Sequence, residues 1–235
     1  MEIKGIIFDY GGTLDTGGDH WSRVIRKGWD KAGVVADDAL FREAYVYAER
    51  ELERVEHILP EHDFSDVMKI KINIELGYLA SHGHFPPAQV EEKANEIADY
   101  CYSIAKQNTE SSKPVLEALS KKYPLVLVSN FYGNIETVLK DFGLISYFKK
   151  IVESAKEGVR KPDTRLLQIG IEALGFHPEE ILVIGDSVKN DIDPAKKLGC
   201  QTLLLNGQGW DDETLAPSQV GAINKLDEIL TILMS

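Results

Sequence analysis

Ile6-Ile7-Phe8-Asp9-Tyr10-Gly11-Gly12-Thr13-Leu14 is the stretch on which the fold turns. An apolar, β-branched run ends in an aspartate and passes at once into a glycine-rich turn. A parallel strand covered on both faces reads as such an unbroken apolar run. In open α/β sheets, ligands bind in the crevice beyond the carboxyl ends of the strands. Asp9 is therefore expected at the mouth of a site, on a turn whose backbone N–H groups can approach an anion. On this segment alone, an aspartate capping an ordinary loop is an equal alternative.

The distant parts of the chain break the tie. Leu125-Val126-Leu127-Val128 is a second buried-strand run and ends in Ser129-Asn130. Ile181-Leu182-Val183-Ile184-Gly185 is a third and ends in Asp186-Ser187, with Asp191 close behind. Between them, Arg160-Lys161-Pro162-Asp163 precedes a helical pattern. Carboxylate, hydroxyl, ammonium and carboxylate all fall at strand ends or helix starts. Short strands at 150–152 and 202–205, with helices at 115–122, 135–142, 164–174, 192–198 and 226–233, complete an alternation. Such alternation predicts a parallel sheet with right-handed crossovers.

Residues 17–106 read differently. Trp21, Val24, Ile25, Gly28, Trp29 and Ala32 share one helical face. Phe41, Tyr45, Ala48, Leu52 and Val55 form a second stripe. Phe64, Met68, Ile72, Leu76 and Leu79 form a third, and Val90, Ala94, Ile97, Cys101 and Ile104 a fourth. Helices of this kind bury their stripes against one another. The expectation is a Rossmann-like α/β core from residues 1–16 and 107–235, with an all-helical cap inserted at 17–106. Trp21, Trp29 and Tyr45 read as core side chains. His57, His62, His82 and His84 fall in two loops without metal-ligand spacing, although as cap-loop residues they could touch a substrate.

Composition narrows the function. The chain has 235 residues, is 43% hydrophobic and 27% charged, and carries 38 acidic against 26 basic residues for a net charge of −12. These are the proportions of a soluble globular protein large enough to bury a core. Its negative charge disfavours nucleic acid and anionic membranes as partners. Cys101 and Cys200 read as buried thiols, not a disulfide. No apolar run approaches a membrane span, and no leader pattern precedes the first strand. A cytoplasmic setting is expected, and the oligomeric state is not readable.

In their order, the four polar elements resemble the motifs of the haloacid dehalogenase (HAD) superfamily. These are an Asp nucleophile after the first strand, a Ser/Thr after a later one, a Lys before a helix, and Gly-Asp followed by a further Asp. The resemblance covers the chain outside about residues 17–106, where only the placement of an inserted cap matches. It implies phosphoryl transfer from a small phosphorylated metabolite through an aspartyl-phosphate on Asp9, a reaction that depends on positioning and charge neutralisation. Mg²⁺ suits such a site because it favours hard oxygen ligands. Asp9, Asp186 and the main-chain carbonyl of Gly11 would be its ligands, and Asp191 would orient the groups around it. Lys161 would offset charge. Ser129, the Asn130 N–H and the Gly11-Gly12 turn would receive the phosphoryl oxygens, and Thr13 would orient the first loop.

One position departs from the pattern. Superfamily phosphatases usually carry a second Asp two residues after the first, as general acid and base, and here that residue is Gly11. A positioned acid contributes about 10²–10⁴-fold. Members with a non-acid here include dehalogenases, phosphonatases with a cap lysine, and some active sugar-phosphate phosphatases. A protein that binds a phosphorylated metabolite without turnover is a further alternative. Asp186 and Asp191 argue against halide displacement, which needs no metal, and the Tyr10-Gly11 order also differs from the dehalogenase Ala-Tyr order. Asp15, the nearest other carboxylate, reads as structural or as part of the cap hinge.

Overall fold

A computed structural model describes residues 2–210 and 221–234. Its centre is a parallel sheet of β1 (Gly5–Phe8), β2 (Leu125–Ser129), β3 (Phe148–Glu153), β4 (Ile181–Gly185), β5 (Gln201–Leu205) and β6 (Ala222–Ile223). The spatial order is β3-β2-β1-β4-β5-β6, with every pairing parallel. The chain winds outward from β1 in one direction through β2 and β3, then returns beside β1 as β4. The carboxyl ends of β1 and β4 thus flank the point where the winding reverses, the usual place for a ligand crevice.

The helices are α1 (Trp21–Lys31), α2 (Asp38–Arg54), α3 (Phe64–Ser81), α4 (Val90–Ser120), α5 (Ile135–Asp141), α6 (Ser154–Glu157), α7 (Thr164–Leu174), α8 (Asp193–Lys197) and α9 (Glu228–Met234). Side chains alternate across a strand, so the unbroken apolar runs supply two cores. Ile6, Phe8, Leu125 and Leu127 join the core that extends into α1–α4. Ile7, Val126, Val128 and Val183 pack on the opposite face against Leu166, Leu167 and Ile171 of α7. Full burial of each such side chain contributes about 1.5–3 kcal/mol. A Cβ on Gly170 of α7 would lie 2.6 Å from Val128, so the close approach of helix to sheet depends on that glycine.

Two expected boundaries move. The sequence suggested that a cap helix ends near residue 106 and that a core helix starts near 115, but α4 is one helix of 31 residues with Pro114 inside it. Residues 106 and 107 therefore lie within a continuous rod. Pro114 removes one helical donor without ending the helix, because Val115, Leu116 and Leu119 remain buried beyond it. The expected helix at 192–198 begins earlier, as a wide π-type turn over Val188–Ile192 that runs into α8. Cys101 lies within α4 and Cys200 just before β5, and both are buried and free. No helix among the described residues is long and apolar enough to cross a membrane.

Candidate active site

Strand register brings the distant motifs together. Phe8 is paired with Leu127 on one side and Ile184 on the other. The next residue, Asp9, donates its backbone N–H to the carbonyl of Ile184 at 2.9 Å. Asp9, Ser129, Lys161, Asp186 and Asp191 consequently share one cavity of about 680 Å³ at the sheet edge.

Lys161 is the hub. Its side chain is 3% exposed, and Nζ donates to Asp9 Oδ1 at 2.7 Å, Asp191 Oδ1 at 2.6 Å and the Val128 carbonyl at 3.1 Å. All three ammonium donors are used. Burial opposes its charge, but Asp191 and Asp9 outweigh burial and hold Lys161 above the ordinary lysine range. The loop carrying it is pinned by Asn130, whose Oδ1 accepts from the Lys161 N–H at 2.8 Å and whose Nδ2 donates to the Lys161 carbonyl at 3.0 Å. Sequence reasoning assigned Asn130 only a backbone role; its side chain locks the lysine loop.

Asp9, Asp186 and Asp191 each offer an oxygen, and these oxygens lie within 4.8 Å of one another. Burial first, then Asp191 and Asp9, push the Asp186 carboxyl well above the carboxylate range. Burial and Asp9 raise Asp191 to about 6, against the opposing pull of Lys161. Three carboxyl groups gather around one lysine, and together they offer hard oxygen donors suited to a divalent cation. Asp191 is held by Lys161 on Oδ1 and by the Ser187 N–H on Oδ2 at 3.1 Å. Thr13 Oγ1 donates to Asp186 Oδ1 at 3.1 Å.

Glycines make this crowding sterically feasible. Gly12 has φ +92°, and a Cβ there would lie 2.5 Å from the Asp186 carboxylate. A Cβ on Gly185 would lie 2.4 Å from Asp191 Cγ. Gly11 differs: it is not among the positive-φ glycines, and nothing lies within 4 Å of where its Cβ would stand. The local backbone would accept a side chain at the departing position.

Asp15 ties the first loop to the cap. Its Oδ1 accepts from the Gly12 N–H at 2.7 Å and its Oδ2 from Trp21 Nε1 of α1 at 3.0 Å. Burial raises its carboxyl to about 8. Above the sheet edge, a smaller cavity of about 150 Å³ lies between the core turn and α1–α3; Gly11, His20, Asn130 and Asp186 line both cavities. Trp21 and Tyr45, expected as plain core, form part of its wall. Lys71, Glu49 and Tyr132 also line it, and sequence reasoning missed all three. A signal was present in α3: buried Lys71 and Glu75, four residues apart, interrupt its apolar stripe. His57, His62, His82 and His84 line neither cavity. His57 contacts Glu51, His62 accepts from the Leu59 N–H and His82 contacts the Tyr78 carbonyl.

Comparison with known proteins places this geometry in a family. The model of the haloacid dehalogenase-like hydrolases matches residues 3–199, and the chain belongs to that family. It is 29% identical over 127 residues to the 5-amino-6-(5-phospho-D-ribitylamino)uracil phosphatase YigB of Escherichia coli K12, covering 52% of each chain. It is 34% identical over 92 residues to the glyceraldehyde 3-phosphate phosphatase of Methanocaldococcus jannaschii, covering 39% of this chain and 40% of that one. The chain thus spans about half or less of these two relatives' length. The magnesium-bound HAD hydrolase YfnB of Bacillus subtilis superposes over 100% of both chains with a TM-score of 0.63 at 20% identity, a likeness of fold.

Proposed function

We propose that this protein is a Mg²⁺-dependent phosphatase of small phosphorylated metabolites, with Asp9 as nucleophile. The observation that carries the reading is the cluster of Asp9, Asp186 and Asp191 around Lys161 at the reversal point of the sheet. Asp9, Asp186 and the Gly11 carbonyl would hold Mg²⁺, with Asp191 positioning the groups beside it. Bound there, the ion would neutralise negative charge on the phosphoryl oxygens.

The chain's own residues account for the remainder. Lys161 fixes Asp9 through Oδ1, which orients the carboxylate for attack on phosphorus. A bond forms from an Asp9 oxygen to phosphorus as the ester P–O bond breaks, and the leaving oxygen takes up a proton. Water then attacks the phosphorus of the aspartyl-phosphate, releasing inorganic phosphate and restoring Asp9. Ser129 and the Asn130 N–H would receive phosphoryl oxygens, and Lys161 offsets charge in both steps. Thr13 holds Asp186 in place.

The open space beside Gly11 favours a second reading, a metabolite-binding protein with weak or no turnover. Hydrolysis of acetyl phosphate and p-nitrophenyl phosphate separates the two. The phosphatase releases phosphate in Mg²⁺, stops in EDTA and recovers when Mg²⁺ is restored. Full activity in EDTA would sink the metal-dependent reading. Trapping by beryllium fluoride without turnover would leave the binding protein.

A further inference from the structure

The smaller cavity carries chemistry that the phosphoryl-transfer site does not use. Lys71 on α3 has a side chain 3% exposed, is ion-paired with Glu49 of α2 and stands 4.2 Å from the centre of the Tyr45 ring. Glu49 takes Lys71 on Oε1 and the Tyr132 hydroxyl on Oε2 at 3.3 Å. Its side chain is nonetheless 29% exposed and lines the cavity. Burial pushes the Glu49 carboxyl up, but Lys71 outweighs burial and holds it below the ordinary glutamate range. An ionised carboxylate has about four lone-pair sites and accepts only. Glu49 therefore presents unused acceptor capacity to whatever enters.

Charge and size restrict the occupant. Lys71 faces Glu49, and Arg160, the other Lys or Arg of the described wall, faces Glu53. A second anionic group on a substrate would find Lys71 and Arg160 already paired and would meet the Glu49 carboxylate. The cavity of about 150 Å³ matches one that accepts a molecule as large as benzene. Trp21, Tyr45, Phe64 and Phe131 offer it apolar faces. Since Gly11 and Asp186 line this cavity as well as the larger one, its contents would lie next to the phosphoryl group.

We infer that this cavity is the leaving-group subsite of the proposed phosphatase, and that Glu49, held by Lys71 and Tyr132, selects a compact uncharged polyol by accepting from its hydroxyls. The inference rests on the phosphatase reading. Glycerol 3-phosphate and acetyl phosphate test it, because both are small but the acetate leaving group has no hydroxyl donor. The readout is the ratio of their kcat/KM values in Mg²⁺. Glu49→Gln retains shape and loses the charged acceptor, so the ratio, glycerol 3-phosphate over acetyl phosphate, falls about 10- to 100-fold. Because Glu49→Gln leaves Lys71 buried and unpaired, E49L/K71M provides a second test; apolar replacement of a buried pair is often tolerated. It should lower the ratio in the same sense. An unchanged ratio in the folded variants overturns the subsite. A wild-type protein that hydrolyses p-nitrophenyl phosphate but neither of these substrates overturns the subsite alone, and one inert toward all three overturns the phosphatase reading and the subsite with it.

Discussion

Two buried lysines divide the molecule. Lys161, in the core, pairs with both Asp9 and Asp191 while the Asp186 carboxyl stands close by, so one cation faces two ion-pair partners. Lys71, in the helical region, has Glu49 as its ion-pair partner, with Tyr45 and Tyr132 around the pair. Glu75, one turn further along α3, has its carboxyl raised to about 8, chiefly by burial, which favours its neutral form at pH 7. The first cluster is electrostatically incomplete and the second nearly balanced. Burying unbalanced charge is costly, and the cation that the proposed function brings to the first cluster would offset it. The second can persist as a wall that presents polar groups without net charge.

The largest expected effect lies at the incomplete cluster. Asp9→Asn preserves size but removes the anionic attacking oxygen, and phosphatase turnover should fall by about 10⁴-fold or more. Retained circular dichroism would show that the fold survives. Normal kcat in this variant would remove Asp9 as nucleophile.

Stability in the presence and absence of metal compares the clusters directly. Lys161→Met leaves Asp9 and Asp191 buried without their ammonium, and should cost about 3–5 kcal/mol in EDTA, the scale for breaking a buried pair. Mg²⁺ should restore part of that loss. Lys71→Met strands only Glu49, which reaches the cavity, so its cost should be smaller and unaffected by Mg²⁺. Thermal unfolding with and without Mg²⁺ measures both. An equal Mg²⁺ response in the two variants would refute the contrast.

The clusters also differ in how far the sequence reveals them. Asp9, Ser129 and Asp186 each follow an apolar run, and parallel pairing of those runs forces their ends together. Lys161 was legible only through its motif, because nothing local announces that Asn130 would clamp its loop. Lys71 was concealed because a charged residue on a helix ordinarily reads as its solvated face. Burial of Lys71 follows from which way α3 packs, and its partners lie in α2 and beyond β2, contacts that helical periodicity cannot supply. The continuity of α4 was hidden similarly: Pro114 reads as a break, and packing on both sides of it keeps the helix intact.

Gly11→Asp sharpens the comparison within the first cluster. The position has no positive φ and open space around its Cβ, so the variant should fold. If the missing acid limits protonation of the leaving group, alkyl phosphates should gain up to about 10²-fold in kcat while p-nitrophenyl phosphate gains little. An unchanged dependence on the leaving group in a folded, Mg²⁺-binding variant would place the proton source elsewhere.

The smallest effect lies in the balanced cluster and concerns pH. Glu75 is fully buried; Trp29 Nε1 donates to its Oε2 at 3.3 Å, and its Oε1 has no hydrogen-bond partner. Burial, the leading cause, raises its carboxyl from 4.5 to about 8, with Lys71 opposing and Glu49 assisting. Between those values the folded state holds a proton that the unfolded state has released. Its contribution to stability is therefore full below pH 4.5, declines as pH rises toward 8 and is spent above it. The slope from one such group is at most about 1.4 kcal/mol per pH unit. Glu75→Gln keeps a neutral polar group of similar size and cannot ionise, so urea unfolding from pH 5 to 9 should show a flatter decline than the parent. The two curves should run parallel above pH 8. Equal slopes throughout would mean that Glu75 is already ionised in the folded protein, and that the wall around Lys71 carries net negative charge.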